Sequence, residues 1–139
     1  MADRLYTSSE ADEILSSLRF ETKLEKATLA RIAFALSLVK SGAKVEASKT
    51  FSGGEMKRPT FFGEEESFIR SLLSFTYQNS EIGEEELFSN HSLIKNHIDH
   101  GAELLGQIFQ ECGRDGDNLI ARLVEEIEFS GRKELLGRG

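Results

Sequence analysis

The stretch HIDHGAE, residues 97–103, places His97, His100 and Glu103 at i, i+3 and i+6, close enough on a helix to converge on a metal ion. Helical zinc pairs favour i, i+4, and the nearest further ligands, His91 and Cys112, lie a turn or more away along the same segment. A packed or interfacial histidine beside Gly101 is therefore the simpler reading. Nucleophilic catalysis has no better footing. Cys112 stands where a helix should end, and the negative end of a helix dipole raises a thiol pKa rather than lowering it. None of the serines sits in a strand–turn–helix elbow. The runs Glu64–Glu66 and Glu84–Glu86 read as solvated helix starts, where negative charge complements the dipole. With one cysteine in the chain, an internal disulfide and a four-cysteine metal site are excluded. No cofactor is expected.

A second stretch, FSGGEMKR at residues 51–58, has the look of the signature loop of an ABC-type ATPase. Such an enzyme also needs a G-x-x-x-x-G-K-[ST] loop after a strand and an acidic residue to hold Mg²⁺. The chain has no such phosphate loop and no strand–helix alternation to carry one, so the match is a turn. What remains is two glycines that let backbone approach a ligand, flanked by Lys49, Lys57 and Arg58. That combination suits phosphate contact without nucleotide chemistry.

The charge is unevenly spread. Residues 1–60 carry 10 Lys/Arg against 8 Asp/Glu, a balance of +2, and residues 61–139 carry 7 against 16, a balance of −9. The whole chain is at −7, which argues against a generally basic nucleic-acid binder but leaves room for a local strip. Lys40, Lys44, Lys49, Lys57 and Arg58 form that strip, against Glu46 and Glu55 alone. Arg19, Lys23 and Lys26 are a second tier near the first helix–helix junction. Ordinary solvated lysines are the competing reading of both groups.

These residues need elements to position them. Thr7 and Glu10 have capping-box spacing, and Ala11, Ile14, Leu15 and Leu18 share a face, predicting a helix over 8–21. Thr22 and Glu25 repeat the box before ATLARIAFALSLV, a helix apolar nearly all round. Such a helix must be buried on nearly all sides, as the centre of a bundle or at a subunit interface. Gly42 suits its left-handed stop. Residues 43–62 lack helical period and predict an irregular or short β-like insertion, with two extended pieces around Gly53-Gly54. Glu64–Glu66 open a third helix with Phe68, Ile69, Leu72 and Phe75 or Thr76 on its apolar face. A short turn reaches Leu87, and Ser89 or Asn90 caps a long helix. Ile94, Ile98, Gly101, Leu105 and Ile108 form its seam, stepping by 4, 3, 4 and 3. Gly113 ends it, and Asp117 caps a last helix through Leu119, Ile120, Leu123, Val124 and Ile127. The fold class is all-α, a compact bundle of about five helices.

At 139 residues the chain fits one domain with a real core. The opening residues hold no basic-then-apolar leader, and no apolar run reaches the ~18 residues of a membrane span. A cytoplasmic protein without membrane contact is the expectation.

Three stretches taken together, LARIAFALSL (29–38), TFFGEEESFIRSLL (60–73) and HIDHGAELL (97–105), resemble the DndE family of the bacterial DNA phosphorothioation system. The likeness spans residues 5–110 and lies in order and separation, since no one motif is specific. His100 stands where the family pattern would have a basic residue before the glycine, which makes any charge there pH-dependent. Residues 114–139 extend beyond the likeness. The resemblance implies a helical, homotetrameric subunit that binds the DNA backbone, nicked duplexes included. It also implies partner proteins that supply the sulfur and ATP chemistry: a cysteine desulfurase or equivalent, an iron–sulfur ATP-pyrophosphatase-like protein and an SMC-like ATPase.

Two readings follow. In one, the chain is a non-catalytic accessory subunit that holds double-stranded or nicked DNA with the cations above. In the other it is a protein–protein adaptor that docks its acidic half on a modification enzyme and never touches DNA.

Overall fold

The computed structural model describes residues 4–42, 55–78, 82–113, 117–119 and 121–123. In chain order the elements are β1 (Arg4–Tyr6), α1 (Ser9–Thr22), α2 (Lys26–Ser41), β2 (Glu55–Lys57), α3 (Arg58–Phe62), a 3₁₀ turn (Gly63–Glu65), α4 (Glu66–Thr76), α5 (Glu84–Ser89) and α6 (His91–Glu111). The architecture is mostly α-helical, as expected. Residues 117–119 and 121–123 are also helical. The remainder of the expected last helix, with Ile120, Val124 and Ile127, falls outside the described residues, as do the two extended pieces about Gly53-Gly54.

Helix ends follow local chemistry, not always where the spacing placed them. Ser8, one residue after Thr7, caps α1, its hydroxyl accepting the Ala11 N–H at 3.1 Å. The second capping box does not form. Thr22 closes α1 instead, its hydroxyl donating to the Leu18 carbonyl at 2.7 Å and accepting the Leu24 N–H at 3.3 Å. Lys23 then takes the left-handed conformation, φ 67°. Gly42 stops α2 at φ +58°, the left-handed region that glycine enters without steric cost. The Asn90 side chain caps α6 by accepting the Leu93 N–H.

The core is built on the crossing of α2 and α6. A side chain at Gly101 would meet the Ala33 carbonyl oxygen at 1.7 Å, so the two backbones touch there and only glycine fits. All five seam positions of α6 are buried, with Leu29, Ala30, Ala33, Phe34 and Leu36 of α2 in the same core. Helix α1 lies against α6 further along, where Ile14 faces Gly106.

The irregular insertion contributes one strand, but its partner lies elsewhere in the chain. β2 pairs antiparallel with β1, Arg4 opposite Lys57, Leu5 opposite Met56 and Tyr6 opposite Glu55. This ribbon sits at the start of α1, where the Ser8 N–H donates to Asp99 Oδ1 of α6 at 3.0 Å. Lys95, one turn earlier on α6, holds the other Asp99 oxygen at 2.6 Å, and both side chains are buried. Burying that pair is tolerable because each carboxylate oxygen has a donor.

Helix α4 is rotated from the expected face. It buries Ile69 and Leu73 and leaves Phe68 and Phe75 58% and 51% exposed. The stripe Ile69–Leu73–Tyr77 is turned inward because Tyr77 is anchored to His97 across the core.

Candidate nucleic-acid interface

The expected cations fall in separate places. Arg19 and Lys23 are exposed around the C-terminal end of α1. Between them Phe20 is 74% exposed, with the Lys23 ammonium 5.1 Å from its ring centroid. Lys26, at the start of α2, is half-buried and ion-paired to Asp12 of α1. Glu21 and Glu25 are exposed in the same corner, so the second tier is nearly charge-balanced. Lys40 is exposed in the last turn of α2, a rise of roughly 21 Å from Lys26. Lys57 is exposed at the end of β2, and Arg58 begins α3. Lys44 and Lys49 lie outside the described residues, in the segment that Lys40 and Lys57 bracket.

Two arginines that the sequence pattern did not single out are engaged in packing. Arg31 of α2 donates to the Phe61 carbonyl at 2.9 Å and the Thr60 carbonyl at 3.3 Å, and reaches the Thr28 hydroxyl at 3.2 Å. Arg70 bonds Glu85 at 3.0 Å and stacks over Phe88, 3.7 Å from its centroid.

His97 and His100 belong to a hydrogen-bonded chain joining three helices. Tyr77 Oη meets His97 Nε2 at 2.8 Å, and Ser37 Oγ meets His97 Nδ1 at 2.8 Å. The same Oγ lies 2.9 Å from His100 Nδ1, whose Nε2 is 3.4 Å from Ser41 Oγ. A neutral imidazole has one donor and one acceptor nitrogen, so every group in the chain is satisfied when its protons all point one way. Burial, and secondarily the neighbouring His100, lower the His97 pKa to about 4, which keeps it neutral. Burial raises the Tyr77 pKa.

Ser37 lies between two imidazoles, as a nucleophilic serine would, but it is 0% exposed and no substrate reaches it. His97 is a packed histidine beside Gly101, with both ring nitrogens used inside the protein. Among the described residues no three His, Cys, Asp or Glu side chains gather to hold a metal ion. Cys112 is half-buried at the α6 terminus, its Sγ 3.6 Å from the Asn118 carbonyl. Sequence reasoning missed Ser37 and Tyr77. A lone serine inside the apolar run of α2 was the available signal, since a buried hydroxyl needs a partner.

A mostly α-helical fold with a two-stranded ribbon and cations scattered over the described surface defines a class of small helical proteins. Residues 4–111 match the family described as DNA sulphur modification protein DndE, and the chain belongs to that family. Two solved structures share the fold. The crystal structure of DndE from Escherichia coli B7A, involved in DNA phosphorothioation modification, is 19% identical with a TM-score of 0.53, covering 76% of this chain and 98% of that one. The DndE G21/24K mutant involved in DNA phosphorothioation is 20% identical with a TM-score of 0.56, covering 75% and 97%. No curated protein sequence matches the chain. No helix among the described residues is long and apolar enough to cross a membrane.

Proposed function

We propose that this chain is a non-catalytic accessory subunit of the bacterial DNA phosphorothioation machinery, acting in the cytoplasm as a homotetramer that holds the backbone of double-stranded or nicked DNA. The observation that carries the reading is the DndE match over residues 4–111, together with the DNA phosphorothioation role of the E. coli relative. The local support is electrostatic. Lys40 and Lys57 are exposed at the two ends of the segment that bears Lys44 and Lys49, and Arg58 follows directly. Arg19 and Lys23, and Lys26 less strongly because Asp12 neutralises it, make the weaker second tier. Such contacts position phosphates without reading sequence, and repetition in a symmetric oligomer multiplies a weak patch through effective concentration. Sulfur activation and ATP hydrolysis then belong to partner proteins of the system.

Fluorescence anisotropy on short intact and nicked duplexes over a range of salt concentrations tests this. Binding should weaken steeply with salt and be tighter on the nicked duplex. Reversing Lys49, Lys57 and Arg58 together to glutamate should flatten the log–log salt slope by about one for each phosphate no longer neutralised. An unchanged slope removes these residues from the interface.

The exposed carboxylates Glu64, Glu65, Glu66, Glu85 and Glu86 favour a second reading, an adaptor that docks on a basic patch of a modification enzyme. An adaptor should pass through heparin unretained at low salt.

A further inference from the structure

Ser37 has one hydroxyl hydrogen and two imidazoles to share it with. Its Oγ lies 2.8 Å from His97 Nδ1 and 2.9 Å from His100 Nδ1, so it donates to one ring and accepts from the other. Ser37 and His97 are 0% exposed. His100 is half-buried, with its Nε2 3.4 Å from Ser41 Oγ at the end of α2. The hydrogen-bonded chain therefore reaches the surface at His100 and ends in the core at Tyr77, the residue that closes α4.

Two proton directions are available. With His100 neutral, Tyr77 sets the direction, because a phenol oxygen shares its lone pairs with the ring and donates more strongly than it accepts. Burial raises the Tyr77 pKa, which keeps that O–H in place. Tyr77 then donates to His97 Nε2, His97 Nδ1–H to Ser37, Ser37 to His100 Nδ1, and His100 Nε2–H to Ser41. An imidazolium donates from both nitrogens. Once His100 is protonated, its Nδ1–H gives to Ser37 and Ser37 turns its hydroxyl to His97 Nδ1. The one proton of His97 moves to Nε2 and is given to the Tyr77 oxygen. The count closes, since His100 gains one proton from solvent and His97 carries one before and after. Burial, and then His100 itself, hold the His97 pKa to about 4, so His97 stays neutral throughout.

The surroundings of His100 permit both charge states. Its ring nitrogens face serine hydroxyls, which can accept or donate. Among the described residues, α2 presents Lys40 beside Ser41 and α6 presents Glu103 one turn on, both exposed. Asp99 is turned toward the start of α1, closed by Lys95 and the Ser8 N–H. From α4 it is Tyr77 that connects to His100, by way of His97.

We propose that His100 is the outer end of a proton-sensing switch, in which protonation near the surface reverses the hydrogen bonds through Ser37 and His97 and exchanges the bond that ties Tyr77, and with it the end of α4, to the core. An imidazole N–H to a phenol oxygen replaces a phenol O–H to an imidazole nitrogen, a weaker tie, and a positive charge appears beside Lys40. The inference rests on side-chain geometry and does not depend on DNA contact.

Proton–nitrogen correlation spectra of the whole chain, with heavy nitrogen in its histidines, test it over about pH 5 to 8, where histidines change charge. His97 should exchange its Nδ1–H tautomer for the Nε2–H tautomer with the same midpoint as the His100 titration. A His100 that stays neutral over that range, or a His97 that keeps one tautomer while His100 titrates, overturns the switch. H100Q removes the sensing group at a half-buried site, so the fold should persist and His97 should hold one tautomer throughout. Ser37→Ala should uncouple the rings, leaving His100 to titrate without a response from His97. A tautomer exchange that persists in either variant shows His97 answering to another group, and overturns the switch as well.

Discussion

The two sides of α2 differ in how completely the chain itself fills them. Toward α6, Gly101 lies on the Ala33 carbonyl and Ser37 is held between two imidazoles. Toward α4, Ile32 and Ala35 border an open cavity that the exposed Phe68 also lines. The first side specifies how this chain folds on itself. The second is apolar surface that folding leaves partly open to solvent, and exposed apolar patches commonly mark interaction sites.

Adding one methyl group to the filled side should have the largest effect. Gly101→Ala drives a Cβ into backbone that cannot move aside, and urea denaturation should show a loss of at least about 3 kcal/mol, or no folding. Acid should come next. The unfolded chain takes up a proton at His97 with an ordinary pKa of 6.5, whereas the folded protein resists until about 4. The stabilisation is therefore complete above pH 6.5 and drains away as pH falls toward 4. Its slope approaches about 1.4 kcal/mol per pH unit. H97Q lacks the titrating group, so its stability curve should be flatter in that window, and parallel curves would break the assignment. Tyr77→Phe leaves His97 Nε2 without its buried partner and should cost about 1–3 kcal/mol. On the open side the same kind of enlargement should be tolerated. Ala35→Leu projects into the cavity, and an unfolding free energy within about 0.5 kcal/mol of wild type is expected. A large loss there would show that the two sides are equally full. Breaking the exposed Arg70–Glu85 pair with Glu85→Ala should be the smallest change, again within about 0.5 kcal/mol.

The long helix α6 was legible because its seam repeats every 3 or 4 residues for nearly its whole length, and α2 because its apolar run leaves few alternatives. Gly42 was legible because a residue without Cβ enters a left-handed stop without steric cost. What depended on distant partners was not. The β1–β2 ribbon is three residues on each strand, too short for alternation to mark, and its partners are some 50 residues apart. The rotation of α4 follows from one phenol reaching a histidine on another helix. Thr22 has the spacing of a cap but binds backward into α1, a choice made by where the chain turns. The candidate interface was legible as a count of cations. That Asp12 neutralises Lys26, while Arg31 and Arg70 serve packing, required the structure.

The bond between the Ser8 N–H and Asp99 spans 91 positions of sequence and bears on how the protein is made. A ribosome adding about 5–20 residues per second produces Asp99 roughly 5–20 seconds after Ser8. Until then the start of α1 has neither its buried carboxylate nor the α6 surface it rests on. The first helix to be synthesised is thus among the last to be locked in place. A nascent chain halted before α6 would carry α1 and the apolar α2 uncovered, the kind of surface that chaperones bind.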